Sequence, residues 1–199
     1  MRRIVMFNQV SADGYFADDR GELGWVVPEP ELDRSVASNL GGNGTILFGH
    51  RTYQMFESFW PHALDDSPTS PDPHAPDHRS PELRAIAQWI NDADKLVFSR
   101  TRGEVTWRNS RLVRELDPGE IEALKEEPGG DIMIFGSGSI VSQLTERGLI
   151  DEYQFLVCPV LLGSGRTLMN DVRKTPKLEL LEVRSYPSGN VMLRYAPRR

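Results

Sequence analysis

Three short runs place glycine, hydroxyl and guanidinium groups directly after apolar, strand-like segments. Asp131-Ile132-Met133-Ile134-Phe135 leads into Gly136-Ser137-Gly138-Ser139, after which Ile140, Val141, Leu144 and Leu149 mark one side of a helix. Thr45-Ile46-Leu47-Phe48 leads into Gly49-His50-Arg51-Thr52-Tyr53, and Lys95-Leu96-Val97-Phe98 into Ser99-Arg100-Thr101. A helix N-terminus offers unpaired N–H groups and a partial positive charge. Glycine lets the backbone approach a phosphate without a Cβ in the way, and arginine pairs with phosphate through its planar fork. Glycine and serine also make ordinary turns and caps, so one such strand end says little. Three of them, all after parallel-type strands, form one phosphate-binding rim where α/β sheets place ligands.

Other candidate residues are less specific. Tyr53 and Trp60 are a candidate aromatic wall for a flat ligand, although Tyr53 and Phe56, three apart on a helix, equally suit a core. In Gly163-Ser164-Gly165-Arg166, Gly163 and Arg166 are candidate substrate contacts, with Arg166 for a phosphate; a tight turn also explains the glycines. Cys158, the single cysteine, lies in an apolar strand-like run and reads as a buried thiol. His74 and His78 share a proline-rich stretch that cannot be helical, so no metal site is expected.

The elements that must position these groups alternate strand and helix. Strands are expected over 2–10, 45–48, 95–98 and 131–135, and helices over 31–40, 51–59, from Pro81, over 121–127 and from Ser139. After Asp151 the pattern is all strand: 152–160, 177–186 and 190–197, the last two joined by Pro187-Ser188-Gly189-Asn190. This predicts a single α/β domain over 1–199: a mixed, mostly parallel sheet flanked by helices, with a C-terminal antiparallel hairpin. Residues 61–81 hold six prolines and form a loop insertion within it.

The 199 residues are 39% hydrophobic with a formal charge of −6, enough chain for a core and the wrong sign for nucleic acid or an anionic membrane. No run approaches the roughly 20 apolar residues of a membrane span, and the start lacks a signal-peptide pattern, so a cytoplasmic protein is expected.

In their order, the three glycine and hydroxyl runs resemble the dihydrofolate reductase superfamily. Ser11-Ala12-Asp13-Gly14, Gly148-Leu149-Ile150-Asp151-Glu152-Tyr153 and 158–165 are similar to the branch containing the C-terminal reductase domain of the bifunctional riboflavin-biosynthesis enzyme. The resemblance covers about 2–197. It implies a dihydrofolate reductase-like sheet of about eight strands that binds NADPH and reduces a small heterocycle. The branch implies 5-amino-6-(5-phosphoribosylamino)uracil as substrate. Alternatives are a stand-alone pterin or dihydrofolate reductase, or a non-catalytic nucleotide-binding dimeric module. On the cofactor side it implies Gly49, Arg51 and Thr52 at phosphates, Ser99, Arg100 and Thr101 at the adenosine ribose and its 2′-phosphate, Gly136, Ser137, Gly138 and Ser139 around the diphosphate, and Val10 and Ser11 near the nicotinamide. On the catalytic side it implies Asp13, also a substrate contact, and Asp33, by counting back from Gly49. It further implies a cis Gly136–Ser137 peptide and a homodimer built on the apolar C-terminal strands.

Overall fold

A computed structural model describes residues 1–64, 80–170 and 172–198. Its sheet is built from β1 (Ile4–Ser11), β2 (Thr45–Gly49), β3 (Asp94–Phe98), β4 (Ser110–Val113), β5 (Ile132–Phe135), β6 (Glu152–Cys158), β7 (Leu178–Ser185) and β8 (Val191–Pro197). The helices are α1 (Pro30–Asn39), α2 (His50–Phe59), α3 (Pro81–Asp92), α4 (Pro118–Glu126) and α5 (Gly138–Arg147). Strand order is β4-β3-β2-β5-β1-β6-β8-β7. The first six of these run parallel; β8 pairs antiparallel with both β6 and β7. The expected mixed, mostly parallel sheet flanked by helices, with its C-terminal antiparallel hairpin, is therefore the observed one.

The parallel strands are apolar on both sides because helices cover both faces. On one face Ile46, Phe48 and Val97 pack with Tyr53 of α2 and Ile90 of α3. On the other, Ile4, Met6, Ile132 and Ile134 pack with Ile121 of α4 and Ile140, Val141 and Leu144 of α5. Burial of each such side chain contributes about 1.5–3 kcal/mol. The chain leaves β2 for the first face and β5 for the second, although the two strands are neighbours. That divergence opens a crevice beyond their carboxyl ends, where an open α/β sheet takes ligands.

The expected elements are present with shifted ends, and β4 is an addition. Its four residues carry too little alternation to be read. Of the expected 61–81 insertion, residues 65–79 lie outside the described residues; its described start is a 3-10 turn at Trp60–His62.

Candidate functional site

The carboxyl ends of β3, β2, β5 and β1, adjacent in the sheet, open on one cleft of about 1040 Å³. Two helices begin there, and their caps differ from the rest. Glu29, Ser80 and Asp117 cap α1, α3 and α4 with side-chain hydrogen bonds. The caps of α2 and α5, Gly49 and Ser137, provide none. Both helices therefore present first-turn N–H groups to the cleft without a side-chain acceptor, an arrangement suited to an anion.

Ser137 is occupied elsewhere. Its Oγ accepts from the Gly49 amide at 2.7 Å, and its own amide donates to Thr52 Oγ1 at 3.0 Å. The β5–α5 turn is made by two consecutive left-handed residues, Gly136 at φ +56° and Ser137 at φ +57°. Glycine is favoured at 136, where φ is left-handed and a Cβ would stand a tight 3.0 Å from Thr52 Oγ1. Serine in the left-handed region costs energy of order 1–3 kcal/mol, held here by the two hydrogen bonds. The Gly136–Ser137 peptide is trans, as is every peptide among the described residues, which corrects the cis expectation: the paired left-handed residues reverse the chain without it.

At the next strand end, Ser99 Oγ lies 3.2 Å from His50 Nδ1 and accepts from the Arg102 amide at 3.0 Å. Arg114 Nη1 donates to the Ser99 and Arg102 carbonyls, which fixes this turn and leaves Arg100 and Thr101 on the cleft wall. Arg51, Arg100 and Arg166 all line the cleft, and among the described residues none of their guanidinium groups has a hydrogen-bonding or ion-pairing partner. Glu22 is the one carboxylate among the described lining residues. The site is thus locally cationic on an acidic chain. Its floor is aromatic: Phe7 and Phe135 meet edge to face at 6.2 Å and Phe56 stacks on Phe135 at 5.6 Å.

Gly49, Arg51, Thr52, Ser99, Arg100, Thr101, Gly136, Ser137, Gly138, Ser139 and Arg166 thus come together around one cavity. The other expected site residues do not line it. Val10 points into the core beneath α5, and buried Ser11 donates to Asp13; the β1 residues that reach the cleft are Phe7, Asn8 and Gln9. Tyr53 is fully buried, with its hydroxyl among Glu57, Ser110 and the Trp107 amide, and Trp60 packs against the same core cluster. That pairing is core, not an aromatic wall. Asp33 lies on α1, which packs on α3. Burial raises its pKa, with Glu29 and Glu82 adding to the effect.

Asp13 also lies outside the cleft. Its carboxylate accepts from Ser11 Oγ at 2.6 Å, Gly163 N at 2.7 Å and Leu162 N at 3.1 Å. These donors hold its pKa down to about 2, so at neutral pH it has no proton to give. Gly163 is tied to it by its backbone and does not face the cleft. Glu22, Phe16 and Phe135 carried no sequence signal, since nothing local distinguishes a loop acid or a strand-end phenylalanine that faces a cavity.

Among the described residues no cluster of His, Cys, Asp or Glu side chains could hold a metal ion, and His74 and His78 lie outside them. No helix among the described residues is long and apolar enough to cross a membrane.

Comparisons with known proteins bear on the family and the fold. The family model of the RibD C-terminal domain matches residues 2–192. The uncharacterized protein YyaP of Bacillus subtilis is 28% identical over 194 residues, 98% of this chain and 94% of its own. A putative riboflavin biosynthesis protein from Shewanella sp. PV-4 superposes with a TM-score of 0.68 at 21% identity, covering 99% of each chain. The dihydrofolate reductase of Enterococcus faecalis, solved with NADP(H), superposes at 0.62 with 11% identity over 99% of this chain and 97% of its own. At these identities the two structural likenesses concern the fold.

Proposed function

The chain belongs to the RibD C-terminal domain family, and from that premise we propose that it is an NADPH-dependent reductase of a small heterocyclic substrate. One observation carries the reading: two helices without side-chain caps and two unpartnered arginines, Arg51 and Arg100, face the same cleft. That is a binding surface for several phosphates. The cleft, at about 1040 Å³, has room for a dinucleotide with a second ring beside it.

The residues fit NADPH in named places. The amides of Gly138 and Ser139, with the Gly136–Ser137 turn beside them, would take the diphosphate. Arg51 and Thr52 would lie at a phosphate of the adenosine side. Arg100 and Thr101 would hold the 2′-phosphate, with Arg100 supplying the charge that separates NADPH from NADH. When bound, the cofactor supplies a hydride from its nicotinamide. The chain's own contribution is to orient two rings over the Phe7–Phe135 floor and keep water from them. Asn8, Gln9 and Arg166 would fix the substrate. Glu22 is the acid available there for proton exchange.

Within this reading we take the substrate to be 5-amino-6-(5-phosphoribosylamino)uracil rather than a pterin. A pterin reductase of this fold is expected to turn a carboxylate from the helix after the first strand onto its substrate, and Asp33 does not line the cleft. We also take the protein to be a homodimer. The face of β6, β8 and β7 that carries Phe155, Leu193, Tyr195 and Leu180 continues as exposed Val183, 56% accessible, with Leu181 beside it. The deciding experiment is NADPH titration followed by oxidation of bound NADPH with 5-amino-6-(5-phosphoribosylamino)uracil or dihydrofolate. Turnover on the uracil is expected. Binding without turnover on either removes the reductase reading, and no binding at millimolar NADPH removes the cofactor as well.

A further inference from the structure

Asp13 is the midpoint of a tie between two loops that are far apart in sequence. The first, 12–22, follows β1; the second, 159–167, follows β6. The Ala12 amide donates to the Val160 carbonyl at 2.8 Å. Next along the tie, the Asp13 carboxylate takes the Leu162 and Gly163 amides. Ser164 Oγ then donates to Asp19 at 2.6 Å. Finally the Phe16 amide donates to the Arg166 carbonyl and the Arg166 amide to the Ala17 carbonyl, both at 2.9 Å.

At Gly165 the contact is close enough to demand glycine. A Cβ on Gly165 would stand 2.4 Å from the Ala17 carbonyl. The Arg166 guanidinium rests against Gly21, where a Cβ would stand 2.8 Å from Nη1. Arg166 therefore reaches the cleft from a loop whose place depends on this zipper. Of its side-chain links, Asp13 is the one that accepts two backbone amides of the second loop at once.

We propose that Asp13 is a positioning residue: it docks loop 159–167 onto loop 12–22 and thereby holds Arg166 over Gly21 on the substrate side of the cleft. The tie itself stands on geometry alone. That Arg166 meets substrate rests on the reductase reading above.

The test uses the full chain with Asp13→Ala, and with Asp13→Asn should the alanine variant fail to fold, since asparagine keeps one acceptor. Amide hydrogen exchange is read at Phe16, Leu162, Gly163 and Arg166, with α5 as the internal reference. The expected result is about tenfold faster exchange at those four amides and none in α5. Unchanged exchange at the four overturns the proposal, whatever the protein's activity. On whichever substrate is turned over, Asp13→Ala is expected to raise KM about tenfold with kcat nearly unchanged. In an Arg166→Ala background the same substitution should add nothing further. Multiplying effects of the two substitutions would mean that Asp13 does not act through Arg166, and would overturn that part. Absence of turnover by the unaltered protein counts against the reductase reading and leaves the exchange result to decide the tie.

Discussion

Thr52 Oγ1 accepts the Ser137 amide at 3.0 Å, so the first turn of α2 holds the entrance to α5. The return bond, Gly49 amide to Ser137 Oγ, closes the link. Thr52→Val keeps the shape and removes the acceptor, which leaves a part-buried N–H without a partner. A loss of about 1–3 kcal/mol in urea unfolding is expected, together with weaker NADPH binding. Ser137→Gly and Ser137→Ala both delete the hydroxyl, but only glycine relieves the left-handed backbone. The glycine variant should be the more stable by about 1 kcal/mol. Equal stability would mean that Ser137 carries no strain.

Arg100 has its turn fixed by Arg114 and its own guanidinium unpartnered. Arg100→Gln should weaken NADPH binding about tenfold or more and leave NADH binding within about twofold. Fluorescence titration with both nucleotides measures the ratio. A parallel loss for both would place Arg100 away from the 2′-phosphate.

Asp33 supports a prediction of opposite kind. Its raised pKa, caused first by burial and then by Glu29 and Glu82, means the folded chain holds a proton that the unfolded chain releases. That contribution is complete below about pH 4 and is lost as pH rises through the folded pKa. Asp33→Asn should therefore stabilise the protein at neutral pH and flatten its stability between pH 4 and 7. Activity should stay within about twofold, since Asp33 does not line the cleft. A large fall in kcat would restore it as a catalytic residue.

Lys95 is fully buried, with Nζ donating to the carbonyls of Ala93, Asn91 and Arg108 and lying 4.4 Å from the Trp107 ring centre. Burial, with Arg108 adding to it, lowers its pKa to about 8. Between pH 8 and the unfolded value near 10.5 the unfolded chain binds more protons, so this group makes stability rise with pH. Lys95→Met should remove that rise, seen as the difference between the two urea-stability profiles over pH 8–9.5. It should also lower stability at pH 7, because three carbonyls lose their donor.

Val183 is exposed on β7, the edge strand of an uncharged sheet face. Val183→Glu should convert a dimer to monomer in light scattering without lowering the melting temperature of the monomer. A protein that is already monomeric before substitution leaves that face with some other role.

The cleft's rim was legible in the sequence because each part is local: a strand, a glycine or hydroxyl, then a helix. What was not legible depends on facing. In Ile4-Val5-Met6-Phe7 every residue is apolar, so the phase of the strand cannot be read, and Val10 and Ser11 were expected where Phe7 and Gln9 are found. Counting back from Gly49 locates Asp33 along α1 but not the side on which it points. Tyr53 looked available because its partners, Ser110 and Trp107, come from more than 50 residues away. The tie from Asp13 to Gly163 spans 150 positions and has no local signature at all.

The differing caps reach beyond recognition. Helices α1, α3 and α4 complete their own first turns, whereas α2 and α5 leave theirs open to a guest. On the proposed reading, a phosphate-bearing cofactor would complete the fold when bound. By mass action, ligand at one hundred times its Kd adds about 2.7 kcal/mol to stability. The amount of cofactor in the cell would thus set the lifetime of this chain against unfolding and proteolysis as well as its rate of turnover.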